Sequence, residues 1–168
     1  MTELLPLLKK MITAPGLSGH EAPIRQIIRE AWQPLVDELS ESRLGSLHAL
    51  QRGAGPEPRP KILLSAHMDA IGLLVTTIQD GFLRVTEIGG LDARVLPGVA
   101  VTVHGRQDVP GLLVAPPARL LPPELQDNPV PLEHLLVDTG LPAARLRQLV
   151  RPGDLVSFAQ APIELGNG

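Results

Sequence analysis

Apolar residues recur at helical spacing along the first third of the chain. Leu4, Leu5, Leu8 and Met11 share one face of a helix that Thr2 would cap and that runs to about Ile12. Ala14-Pro15-Gly16-Leu17-Ser18-Gly19 breaks that pattern. Ile24, Ile27, Ile28 and Ala31 restore it in a second helix, which starts near Glu21 and stops before Pro34. Val36–Ser42 and Leu44–Gln51 read as two strands around a turn at Arg43-Leu44-Gly45. Arg52–Pro60 is rich in glycine and proline and predicts an exposed loop. Lys61–Ala66 is a continuous apolar run of strand length, the pattern of a strand covered on both faces.

The character changes after Asp69. Leu73–Ile78 and Phe82–Ile88 flank Gln79-Asp80-Gly81, a strong hairpin signal. Short strands follow at Val99–His104, Pro110–Val114, Leu135–Val137 and Leu155–Phe158, with one short helix at Ala143–Val150. Ala115–Pro131 is proline-rich and loop-like. Regular punctuation by Gly and Pro predicts a small β-barrel or sandwich after a boundary near residue 70. No internal repeat is evident.

Composition narrows the partners. The net charge of −3 over 168 residues leaves no basic footprint, so neither nucleic acid nor an anionic membrane surface is expected. With aromatics at 2%, the core must be aliphatic and base stacking has few platforms. The absence of cysteine removes disulfides, thiolate metal sites and a cysteine nucleophile. Apolar runs are too short for a membrane span. The opening MTELLPLLKK lacks the order of a signal peptide, so the expected location is the cytoplasm.

Ser65-Ala66-His67-Met68-Asp69, at the C-terminal end of the expected buried strand, is the most informative cluster. His67 and Asp69 are two apart and point to the same side of an extended chain. A neutral imidazole is a good zinc or cobalt ligand, and a nearby carboxylate orients it. The same spacing equally suits a hydrogen-bonded histidine followed by an aspartate that caps the next turn. His20 reads as a helix cap, and His48, His104 and His134 as structural or solvated residues. Leu135-Leu136-Val137-Asp138-Thr139-Gly140 matches the apolar-Asp-Thr-Gly signature of aspartic proteases, but a helix pattern follows it where that family has strands. Gly16-Leu17-Ser18-Gly19 is no nucleophile elbow, since His20 replaces the last glycine and no strand precedes it.

Eight segments in order resemble one family. They include Ala14-Pro15-Gly16-Leu17-Ser18-Gly19-His20-Glu21, Arg43-Leu44-Gly45-Ser46-Leu47, Ala66-His67-Met68-Asp69-Ala70-Ile71-Gly72 and Asp80-Gly81-Phe82-Leu83-Arg84. Ile88-Gly89-Gly90-Leu91-Asp92-Ala93-Arg94-Val95-Leu96, Pro116–Leu121, Val137-Asp138-Thr139-Gly140 and Val150-Arg151-Pro152-Gly153-Asp154 complete them. The chain resembles the metal-dependent glutamyl aminopeptidase, deblocking aminopeptidase and endoglucanase-M-like family, whose best-known members form tetrahedral particles. The resemblance implies an α/β catalytic domain of three layers, interrupted by a small β-barrel dimerisation domain. Residues 1–70 would be the N-terminal part of the catalytic domain, 71–160 the dimerisation domain, and 161–168 the start of the return. The Asp138-Thr139-Gly140 segment would then be a structural turn of the second domain.

The family hydrolyses N-terminal residues from peptides with two divalent metal ions, zinc or cobalt, bridged by a carboxylate. By that resemblance His67 is the first metal ligand, and Asp69 is the carboxylate that supports the metal centre and belongs to the catalytic machinery. Ala70 stands where the family commonly has Glu, and Arg119 where it commonly has His. The remaining ligands and the general base belong to a second half of the family fold. The expectation is an inactive fragment with at most partial metal binding, acting as a homo-oligomer or with a complementing catalytic fragment. The alternative is a non-catalytic assembly module that oligomerises through its β-rich part.

Overall fold

Helical apolar spacing near the N-terminus becomes two helices in the computed structural model, which describes residues 4–166. They are α1 (Leu4–Thr13) and α2 (Ala22–Trp32). The proposed cap at Thr2 lies outside the described residues. Pro23 occupies the first turn of α2, where its missing N–H is not needed. Ile24 and Ile28, one turn apart, are the buried residues of α2. Two short strands follow, β1 (Glu38–Glu41) and β2 (Leu47–Leu50), paired antiparallel from Glu38 opposite Leu50 to Glu41 opposite Leu47. Their turn uses Gly45 in the left-handed region (φ +90°), with the Ser42 hydroxyl accepting from the Ser46 amide at 3.0 Å. Arg25 and Arg29 of α2 both reach the Glu41 carboxylate, at 3.0 and 2.7 Å. Both strands are shorter than the expected Val36–Ser42 and Leu44–Gln51, and on the inner side the turn closed between Ser42 and Ser46 takes up the missing residues.

The expected buried strand at Lys61–Ala66 is not a strand. Ile62, Leu63 and Leu64 are 87%, 89% and 90% exposed, and none of the described residues pairs with this segment. Extended chain becomes a strand only when neighbours supply ladder partners. An apolar run encodes a demand for cover, and no described residue meets that demand here.

Chain contacts separate two compact units, Met1–Ala70 with Pro162–Gly168, and Ile71–Ala161. The second unit is a closed, six-stranded antiparallel barrel. Its strands are β3 (Gly72–Gln79), β4 (Phe82–Ile88), β5 (Ala100–His104), β6 (Asp108–Val114), β7 (Leu136–Asp138) and β8 (Leu155–Phe158), with α3 (Ala143–Leu149) between the last two. The order around the barrel is β3-β4-β7-β6-β5-β8, and β8 returns to β3 through Leu73–Val156 and Leu74–Leu155 pairs. Closure removes free edges, which decides between the barrel and sandwich expectations.

Local chemistry explains the corners. Asp80 (φ +51°) and Gly81 (φ +90°) are both left-handed, as a two-residue hairpin turn requires. The β3–β4 register slips by one residue around Thr76, between the Val75–Val85 and Thr77–Arg84 pairs. The hydrophobic core of the barrel is made entirely of Leu and Val, and Leu146 and Leu149 of α3 join it. Full burial of each contributes about 1.5–3 kcal/mol before entropy is counted. Residues 115–131 form short 3₁₀ turns, at Ala118–Leu120 and Pro123–Leu125, and no strand. No helix among the described residues is long and apolar enough to cross a membrane.

Candidate functional site

The loop after α1 is anchored before it offers any chemistry. Leu17 is buried and forms a parallel bridge with Ala70, and the Ala70 amide donates to the Gly16 carbonyl at 2.7 Å. A side chain at Gly16 would run into Ile24, so glycine lets this loop lie close to α2. Gly19 then turns through the left-handed region (φ +83°), and its amide donates to the Glu21 carboxylate at 2.5 Å. These constraints bring residues 16–19 beside residues 67–70.

Three side chains meet there. Ser18 Oγ donates to Asp69 Oδ2 at 2.5 Å. Asp69 Oδ1 lies 3.0 Å from His67 Nδ1, and the Asp69 carbonyl oxygen is also 3.0 Å from that nitrogen. A carboxylate and a carbonyl only accept, so Nδ1 must carry the proton. In the neutral ring it is then Nε2 that carries the lone pair, on a side chain that is 86% exposed. The Ser18 hydroxyl, and then the His67 ring, hold the Asp69 carboxyl below its ordinary range, so it is ionised at neutral pH. The arrangement orients one imidazole nitrogen outward as an electron-pair donor.

A metal centre needs more than this. Zinc takes three or four protein ligands. No group of three or more His, Asp or Glu among the described residues is placed to hold a metal ion. The described residues therefore fit one ligand with its supporting carboxylate and do not fit a complete metal site.

The other sequence candidates resolve individually. His20 is not a helix cap: the cap position of α2 is Glu21, which makes no side-chain cap bond, and the His20 amide instead donates to the Leu17 carbonyl at 2.8 Å. The turn at Gly19 places His20 one residue too early to cap. His48 is exposed on β2, opposite Ser40. His134 Nε2 stands 3.6 Å from Glu133. Asp138 accepts from the Gly140 amide at 2.8 Å, and Gly140 is left-handed (φ +66°), so Asp-Thr-Gly is a turn between β7 and α3. Ser18 donates to a carboxylate and not to a histidine, in keeping with the rejected elbow. One constellation escaped the sequence reading: His104 lies between Asp108 and Ser157, at 3.0 and 2.8 Å. His104 and Asp108 bracket a tight turn at a spacing of four, which is a visible signal, but the pairing of β5 with β8 is not.

A profile of the M42 glutamyl aminopeptidase family matches residues 45–168. This chain belongs to the M42 glutamyl aminopeptidase family. The M42 chain is 35% identical to the lysyl aminopeptidase of Pyrococcus furiosus over 140 residues, 80% of this chain and 39% of that protein. It superposes on a TET aminopeptidase from a Thaumarchaeota archaeon with a TM-score of 0.88 and 28% identity, over 98% of this chain and 46% of that one. A Pyrococcus horikoshii TET1 peptidase, described as assembling into a tetrahedron or a large octahedral shell, matches with a TM-score of 0.76 and 32% identity. That match covers 93% of this chain and 46% of the relative. The M42 chain thus spans less than half the length of these relatives.

Proposed function

We propose that this M42 chain is the N-terminal portion of a metal-dependent aminopeptidase that removes N-terminal residues from peptides. The observation that carries the reading is the Ser18–Asp69–His67 chain of hydrogen bonds, which engages Nδ1 and leaves the Nε2 side of an exposed ring free at the Ala-His-Met-Asp segment. In this reading His67 is a ligand of one of two divalent ions, zinc or cobalt. Asp69 holds the His67 tautomer and orientation. Residues 1–70 contribute to a three-layer α/β catalytic domain, which residues 161–168 re-enter. Residues 71–160 form the dimerisation domain, and the assembling P. horikoshii relative supports a homo-oligomer.

One imidazole cannot hold zinc, so the chain by itself binds metal at most partially and does not turn over peptides. Activity then depends on a complementing catalytic segment. Hydrolysis of leucine- and glutamyl-p-nitroanilide with added zinc or cobalt tests this. The expected result is no turnover from the chain alone, and turnover abolished by His67→Ala once a complementing segment is co-expressed. Turnover by the chain alone would sink the dependence on outside ligands.

A second reading treats the chain as a non-catalytic assembly module. Its support is that every ladder of the barrel lies within Ile71–Ala161, so that unit needs no strand from elsewhere. Tight stoichiometric metal binding in calorimetry counts against this second reading.

A further inference from the structure

His104 ends β5, and Asp108 opens β6 directly opposite it in the antiparallel register. Ser157 lies on the neighbouring β8, opposite Thr102. Each of the three adjoins a buried valine in sequence (Val103, Val109 and Val156), so strand alternation turns all three to the outer face of the barrel. There they meet. His104 Nδ1 is 3.0 Å from Asp108 Oδ1, and His104 Nε2 is 2.8 Å from Ser157 Oγ.

The protons can be placed from the partners. The carboxylate accepts only, so His104 Nδ1 is the donor to Asp108. In the neutral ring Nε2 is then the acceptor, and the Ser157 hydroxyl donates to it. This is the order nucleophile, base, orienting carboxylate, recognised by geometry and roles rather than by chain order. The base is held in place: the Arg106 amide in the adjoining turn donates to the Leu149 carbonyl at 2.8 Å, and the His104 side chain is 23% exposed. Asp108 is 70% exposed and takes its position from the cross-strand pairing.

We propose that Ser157, His104 and Asp108 form an acyl-transfer site on the barrel, separate in residues and chemistry from the aminopeptidase reading. Its substrate class is a small carboxylic ester with a good leaving group, which suits an open outer face. Ser157 Oγ bonds to the ester carbonyl carbon while its proton passes to His104 Nε2. The bond from that carbon to the leaving oxygen breaks, and the leaving group takes the proton from Nε2. Water then attacks the acyl-serine, gives a proton to Nε2, and releases the acid as that proton returns to Ser157 Oγ.

The test treats the full chain with a fluorophosphonate probe. There an Oγ–P bond forms, a P–F bond breaks, fluoride leaves and His104 takes the serine proton. Peptide mapping by mass spectrometry should find the adduct on Ser157, and Ser157→Ala should remove it. General-base assistance is worth roughly 10²–10⁴-fold, so a folded His104→Gln chain should label about 100-fold more slowly. If His104→Gln unfolds in a thermal melt, Asp108→Asn serves instead and should slow labelling by freeing the ring tautomer. An unlabelled Ser157 in the native chain overturns the proposal, as does equal labelling in whichever folded variant is used; the three residues would then be a hydrogen-bonded clip between strands.

Discussion

Ser18 Oγ donates to Asp69 Oδ2 at 2.5 Å, tying together two loop residues that lie 51 positions apart. The bond has a local companion in the Ala70 amide, which donates to Gly16 at 2.7 Å. Together they hold the 16–19 loop against the segment that carries His67. Replacing Ser18 by Ala removes a hydrogen bond to an ionised carboxylate in a solvent-accessible setting, a loss of about 1 kcal/mol. The Ala70 amide should then exchange with deuterium severalfold faster in Ser18→Ala, while amides of the barrel keep their rates. An unchanged Ala70 rate would mean that the backbone bridge alone holds the loop.

Gly105 has no room for a side chain. A Cβ there would stand 2.3 Å from the Leu149 carbonyl oxygen, which is backbone at the end of α3 and cannot step aside cheaply. Gly105→Ala should lower barrel stability by about 1–3 kcal/mol, read as a lower melting temperature. Gly90→Ala is the control, because nothing lies within 4 Å of the added carbon. Equal melting temperatures for the two variants would remove the packing argument.

Asp92 accepts from Arg94 through both the guanidinium and the backbone amide, and these bonds bring its carboxyl to about 2. A depressed folded value means that the ionised form stabilises the fold. That contribution is complete above the ordinary carboxylate range and is lost as pH falls through about 2. A carbon-detected titration should find the Asp92 midpoint near 2, and Arg94→Ala should move it back toward 3.8. A midpoint that ignores Arg94 would contradict the assignment of cause.

Leu63 is 89% exposed in the segment that reads as a buried strand. Its substitution by Lys should change the stability of this chain by no more than about 0.5 kcal/mol, since no packing is lost. The same change should reduce self-association in size-exclusion chromatography, because Ile62, Leu63 and Leu64 form a continuous exposed apolar stretch. A large drop in melting temperature would show that this chain does bury Leu63.

By itself the sequence determined the features that depend on near neighbours. Helical spacing around Ile24 and Ile28, the Asp80-Gly81 turn, the aliphatic alternation of the short strands and the contact between His67 and Asp69 all arise within a few residues of chain. The eight family segments were legible for the same reason, and they led to the M42 assignment. Tertiary structure decided what depends on distant partners. The Ser18–Asp69 bond, the closure of β8 onto β3 and the meeting of Ser157 with His104 each join residues more than 50 positions apart, and no local period encodes such pairings. Lys61–Ala66 marks the boundary between the two kinds of information. Its apolar pattern states that the segment requires cover on both faces, but only neighbouring strands can provide that cover, and none of the described residues does so.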